Sequence, residues 1–171
     1  AWNREGHRAP SPATSSPAPP AEDEYLDFGL QAHEHGVWQI TSGEADFLEI
    51  FSGCANASAA ASAAGLAVAQ PIDLNTGFDI LTESGRKKAW HIITDSKPEV
   101  IMMAPVCTPW SQMQNINDQD KVSAGQQHYI TMARSCADAA KHQLENNRHF
   151  MVDNPLTSKI WKTQQFHNML D

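Results

Sequence analysis

The chain has 171 residues, enough for one ordinary domain, and a formal net charge of -8. That balance argues against binding nucleic acid by bulk electrostatics, because neutralising phosphates needs clustered Lys and Arg. The longest small-and-apolar run, residues 54–69, is mostly Ala with Ser and Asn and falls short of the ~20 apolar residues of a membrane span. No apolar core follows Arg4, Glu5 and Arg8, so no signal peptide is read. Cys54, Cys107 and Cys136 are odd in number and far apart, which disfavours a disulfide framework and fits a reducing, intracellular compartment. His33 and His35 lie in a polar stretch without cysteines at zinc spacing, so no metal site is expected there. The basic run Arg86-Lys87-Lys88 reads as a solvated helix face. A start at Ala1 and an apolar helical pattern running up to Asp171 read as two cut ends, so a fragment or processed piece is expected.

Residues 1–22 hold five prolines among Ala and Ser, and read as a disordered tail that buries too little to offset its ordering entropy. Residues 23–43 read as an arm or linker, with Phe28, Leu30, Val37, Trp38 and Ile40 as its apolar content. The domain is expected over residues 44–171. Phe47 to Phe51 is a short apolar run ending in Ser52-Gly53, which predicts a buried strand and a tight turn. Ala-rich residues 56–64 predict a helix closed by Gly65. Residues 66–72 predict a second strand ending at Asp73, and Asn75-Thr76-Gly77 a turn. Thr82 caps a predicted helix to about Ser96, with Ala89, Trp90 and Ile93 inward, and Pro98 ends it. Residues 100–104 read as a central parallel strand, and residues 108–120 as a loop. Ile130, Ala133, Ala137, Ala140 and Leu144 recur at helical spacing. Residues 150–152 read as a strand. Thr157 or Ser158 then caps a last helix carrying Ile160, Trp161, Phe166 and Leu170.

Strand–helix alternation of this kind predicts a parallel α/β sheet, in which ligands bind beyond the carboxyl ends of the strands. The residues predicted at those ends are chemically able: Gly53 and Cys54, Asp73, Cys107, and Asp153 with Asn154. Gly53 opens a helix, where free N–H groups meet a ligand or where the turn serves packing alone. Asp73 is placed either to accept from ribose hydroxyls or to form a turn. Cys107, between Pro105 and Pro109 on a polar loop, is either a nucleophile or an inert thiol, whereas Cys136 in the long helix reads as core. Asp153 is either a base-orienting carboxylate or an Asx turn before Pro155.

Taken together these residues resemble the cytosine-C5 DNA methyltransferases. Glu49-Ile50-Phe51-Ser52-Gly53-Cys54-Ala55 is similar to that family's first motif, an acidic residue followed by Phe-x-Gly-x-Gly. The resemblance implies S-adenosylmethionine as cofactor, held by Glu49, Phe51, Gly53, Asp73 and Asp79. Residues 104–111 are similar to the family's Pro-Cys-Gln-x-Phe-Ser loop, which implies Cys107 as the nucleophile on cytosine C6 and Ser111 at the substrate. Asp153-Asn154-Pro155 stands where the family has Glu-Asn-Val, implying Asp153 as the acid on N3, with Asn154 at the substrate.

The sequence departs from the pattern at Ala55 for the second glycine, Val106 for the proline before the cysteine, Thr108 for Gln and Trp110 for Phe. Only five residues separate Asp73 from Asp79, so the usual helix and strand between those motifs are missing. The later arginine motif and target-recognition region are absent from the chain as well. The implied fold is therefore an incomplete Rossmann-like, S-adenosylmethionine-type sheet. Nucleic acid would be bound through a recognition region supplied from elsewhere, or other protein subunits would be the partners. A methyltransferase-like module of marine-protist retroelement polyproteins is similar too, through Phe-Ser-Gly, Ile-Asp-Leu, Cys-Thr-Pro-Trp and Asn-Pro-x-Thr-Ser-x-x-Trp in this order. Two functions are carried forward: a methyltransferase with Cys107 as nucleophile, and an inactive binding or structural module on the same sheet. An amino-methyltransferase reading of Asp153-Asn154-Pro155-Leu156 fits Leu156 poorly and leaves Cys107 without a role.

Overall fold

Val100-Ile101-Met102-Met103 has no polar face, and Phe47-Leu48-Glu49-Ile50 is apolar but for Glu49, so both runs are stable only where their two sides are covered. A computed structural model of the chain describes residues 44–170. It pairs three strands in parallel, β1 (Phe47–Ile50), β2 (Val100–Met103) and β3 (His149–Val152), in the order β1-β2-β3. Around them stand α1 (Asn56–Ala63), α2 (Glu83–Ser96), α3 (Gln119–Glu145) and α4 (Gln164–Leu170). The described residues thus form a mixed α/β unit on a small parallel sheet. The readings made for residues 1–43 lie outside them. No helix among the described residues is long and apolar enough to cross a membrane.

β1 and the central strand carry the core of the sheet. Ile101 and Met103 are fully covered, as are Leu48 on β1 and Ile72 beside it. The second predicted strand is corrected. Residues 66–72 make only two isolated bridges to β1, Phe47 with Val68 and Ile50 with Ile72. Proline explains the break. Ala69 N donates to Phe47 O at 2.9 Å, and the next donor along the segment would be Pro71, which has no N–H. Ile72 N donates to Glu49 O instead, at 2.9 Å, so one extra residue bulges between the bridges.

Local chemistry sets the helix ends. Gly65, at φ 87, lets Gly65 N and Leu66 N return to Ser62 O and Ala61 O, closing α1 as a Schellman motif. Thr82 Oγ1 accepts from Gly85 N at 3.0 Å and starts α2, which Lys97 ends in a left-handed conformation before Pro98. Asp118 Oδ1 accepts from Asp120 N and Lys121 N to start α3.

The inward faces of two helices also differ from expectation. On α3 the buried stripe is Ala133, Cys136, Ala140 and Gln143, while Leu144 is 55% exposed. Gln143 displaces Leu144 because its Nε2 donates to Pro98 O and His149 O, both at 2.8 Å, tying the α2–β2 turn to β3. On α2, Ala89 and Ile93 face inward as predicted, but Trp90 is 39% exposed. The predicted loop 108–120 contains two 3₁₀ turns, Thr108–Trp110 and Gln112–Ile116, before α3 starts at Gln119. The predicted last helix is two pieces, a 3₁₀ turn over Lys159–Lys162 capped by Ser158 Oγ, then α4.

Candidate active site

Parallel pairing lines up the strand ends. Ile50, Met103 and Val152 are level across the sheet, and Ile72 is level with Ile50. The next residues, Asp73, Phe51, Ala104 and Asp153, therefore open four neighbouring loops along one edge. At one strand spacing per step, Asp73 and Asp153 stand roughly 14 Å apart. Every candidate catalytic, cofactor-binding or substrate-binding residue, apart from Asp79 and Ser111, lies in β1 or in one of these four loops, within four residues of the level Ile72, Ile50, Met103 and Val152.

The turn after β1 is strained. Phe51, Gly53 and Ala55 all have left-handed backbones, at φ 61, 53 and 57. For Phe and Ala this costs about 1–2 kcal/mol each. Phe51 N donates to Ile72 O at 2.7 Å, and the half-buried Phe51 ring packs on the core. Gly53 N donates to Asp73 Oδ2 at 3.0 Å, and the space where a Gly53 Cβ would stand is open. Ala55, standing where the resemblance has glycine, carries strain without need. Ala55→Gly is expected to raise stability in a urea melt by about 1 kcal/mol, less the small loss from its buried methyl.

The carboxylates are held from within. Glu49 is 7% exposed, and its Oε2 accepts from both Ser58 N and Ser58 Oγ at 2.7 Å. Ser58 N is an otherwise orphan donor of the first turn of α1, so Glu49 clamps the helix N-terminus onto β1. Asp73 accepts from Gly53 N through Oδ2 and from Asn75 N through Oδ1, and forms a capping box with Thr76. Asp79 Oδ1 accepts from Leu81 N at 3.0 Å, and Asp79 O accepts from Thr82 N and Oγ1. Neither Ser58 nor Gly85, which packs against Asp79, drew attention in the sequence. A Ser inside an Ala-rich helix and a Gly inside a helix were the available signals.

Cys107 is exposed and free, at the start of the Thr108–Trp110 turn, where Trp110 N donates to Cys107 O at 3.0 Å. Buried Pro109 and Trp110 anchor the turn, and Gln126 of α3 donates to Pro109 O at 3.0 Å. Asp153 is exposed at the end of β3, its N–H bonded to Met103 O at 2.8 Å. Asn154 joins the two loops. Its Nδ2 donates to Pro105 O at 2.8 Å, while its Oδ1 is buried without a partner. Ser111 Oγ accepts from Met113 N at 3.2 Å and caps the second 3₁₀ turn. Cys136, by contrast, is fully buried, and burial pushes its thiol well above the ordinary range, so it stays an uncharged core residue. Losing one such loop bond is expected to matter locally. In Asn154→Ala, amide exchange at Val106, Cys107 and Thr108 should quicken about fivefold, equivalent to about 1 kcal/mol, with the rest of the sheet unchanged.

Among the described residues no group of three or more His, Cys, Asp or Glu side chains is placed to hold a metal ion. Comparison of the chain with protein-family models, curated proteins and solved structures returned no match.

Proposed function

We propose that this chain is the cofactor-side and nucleophile-bearing part of an S-adenosylmethionine-dependent cytosine-C5 methyltransferase-like domain on a Rossmann-like sheet. The observation that carries the reading is the Asn154–Pro105 bond. It holds the exposed Cys107 loop against the loop of exposed Asp153, on the edge where the β1 turn meets Asp73. Cys107 would attack C6 of a flipped-out cytosine, and Asp153 would orient the ring through N3. The open space over Gly53 and the main-chain cradle between Gly53 and Asp73 fit a nucleoside-bearing cofactor. That cofactor supplies the methyl group when bound. Glu49 would act by shaping the turn, since Ser58 already takes up its inner oxygen.

A second reading is favoured by a different observation. Asp73 and Asp79 each accept main-chain bonds that lock their loops, as expected of a binding or structural module that keeps the sheet without catalysis. Two measurements on the full chain separate the readings. The first is a calorimetric titration with S-adenosylmethionine. The second is incubation with a 5-fluorocytosine oligonucleotide plus cofactor, followed by denaturing electrophoresis. The methyltransferase reading expects saturable cofactor binding and a covalent adduct that disappears in Cys107→Ser. Absence of cofactor binding sinks it. Binding without an adduct selects the module.

A further inference from the structure

Large apolar side chains left in water are not spread evenly over the domain. Nine are exposed among the described residues, and five of them, Leu74, Val106, Met113, Ile116 and Leu156, stand in the loops after Ile72, Met103 and Val152, on the edge that carries Cys107 and Asp153. Exposed apolar surface gathered on one edge marks a binding face. Leu156 is the extreme case, 94% exposed and three residues past Asp153. Its turn holds it there. Pro155 O accepts from Ser158 N at 2.8 Å and from Trp161 Nε1 at 2.9 Å, closing a tight turn with Leu156 at its tip. Buried Ser158 and Ile160 root the far side of that turn, and Asn154 Nδ2 roots the near side on Pro105 O. Turn tips are ordinarily Gly, Asn, Asp or Ser. A leucine this exposed gains nothing from folding, so its apolar surface is left for something outside the chain.

We propose that Leu156 is a wedge that enters a nucleic-acid duplex and fills the gap left in the base stack when the target base is extruded toward Cys107. This inference rests on the methyltransferase reading above. Extrusion costs a few kcal/mol of lost stacking and pairing, and an apolar side chain inserted between base steps offsets part of that cost. Leu156 suits the task in three ways. It is apolar and uncovered. It sits on a turn that is already fixed, so little entropy is lost on insertion. It also shares the loop of Asp153, at most about 10 Å away along the chain, so the wedge and the carboxylate that orients the base are placed by one piece of backbone. Charge agrees locally, although the whole chain is acidic. Lys159 Nζ donates to Asn115 Oδ1 at 2.6 Å and ties the Gln112–Ile116 turn to the Leu156 loop. Lys159, and Lys121 beside Thr108, make no ion pair among the described residues, which leaves both cations to meet phosphates.

The test compares how fast the full chain, with S-adenosylmethionine, forms its covalent adduct on a duplex and on a single strand, each carrying 5-fluorocytosine in randomised flanking sequence. A single strand has no stack to refill. Leu156→Ala is therefore expected to slow the duplex adduct about tenfold and the single-strand adduct less than about twofold, with Leu156→Met restoring the duplex rate. Leu144→Ala, also exposed but at the other end of the domain, should change neither rate. Equal slowing on both substrates overturns the proposal and makes Leu156 a residue that shapes the site. Unchanged rates on both overturn it as well, and assign the apolar edge to a protein partner instead. An adduct that the unsubstituted chain forms on the single strand but never on the duplex also overturns it, while leaving the methyltransferase reading in place. No adduct on either substrate removes that reading, and the wedge with it.

Discussion

Gly85→Ala is expected to cost about 3 kcal/mol of folding stability, at the upper end of what overpacking a tight site usually costs. In an unobstructed helix interior the same change stabilises by about 1 kcal/mol, because alanine is the better helix former. Here the sign reverses. A Cβ on Gly85 would stand 1.9 Å from Asp79 O and 2.4 Å from Asp79 C. Both are main-chain atoms, and Asp79 O is fixed by Thr82 N and Oγ1. No side chain can rotate away, so either α2 lifts off the loop or the Asp79 turn rebuilds. With a urea m-value of 1–3 kcal/mol/M, a loss of about 3 kcal/mol moves the midpoint down by roughly 1–3 M. Ser84→Ala, exposed one residue earlier, is the control and should move it little. An unchanged midpoint for Gly85→Ala would show that α2 does not sit on Asp79.

Glu49→Ala should have the second large effect, about 3 kcal/mol without any ligand present. It leaves the buried Ser58 N–H and hydroxyl at the start of α1 without their shared acceptor, and it removes the anion that the helix N-terminus favours. Glu49→Gln retains an acceptor and should lose only about 1 kcal/mol. A carboxylate whose sole task is to hold cofactor predicts the opposite pattern, with ligand-free stability untouched in both variants. Urea melts of the three proteins without ligand decide between them.

Much of the fold was legible because it rests on local pattern. The apolar runs of β1 and β2, the Gly65 and Pro98 stops, and the Thr82 cap each follow from residues a few positions apart. What was not legible depends on partners distant in sequence. Counting apolar residues selects Leu144 for the inner face of α3, yet Gln143 occupies it because two carbonyls, at Pro98 and His149, need a donor there. Residues 66–72 read as a strand by composition, but Pro71 cannot supply the N–H that the ladder requires. At the site, sequence spacing located Gly53, Cys107 and Asp153 in the loops after strands, and Asp73 just past the bridge at Ile72. It could not foresee that Glu49, Asp73 and Asp79 are bonded to Ser58, Gly53, Asn75 and Leu81, since those pairings arise only once the loops are folded.

The bulge at Pro71 works as a vernier on the cradle beside it. If the segment kept the phase set by Phe47 and Val68, Ile50 would face Pro71 rather than Ile72. Asp73 would then sit one residue, about 3.3 Å, farther beyond the sheet and on the opposite side of the pleat. Its carboxylate would overshoot Gly53 N. The inserted residue resets that phase, so a single proline without an N–H determines how far the loop after it protrudes. Changing the length of the stretch between Val68 and Ile72 by one residue is therefore a means of moving Asp73 while every residue of the cradle itself is preserved.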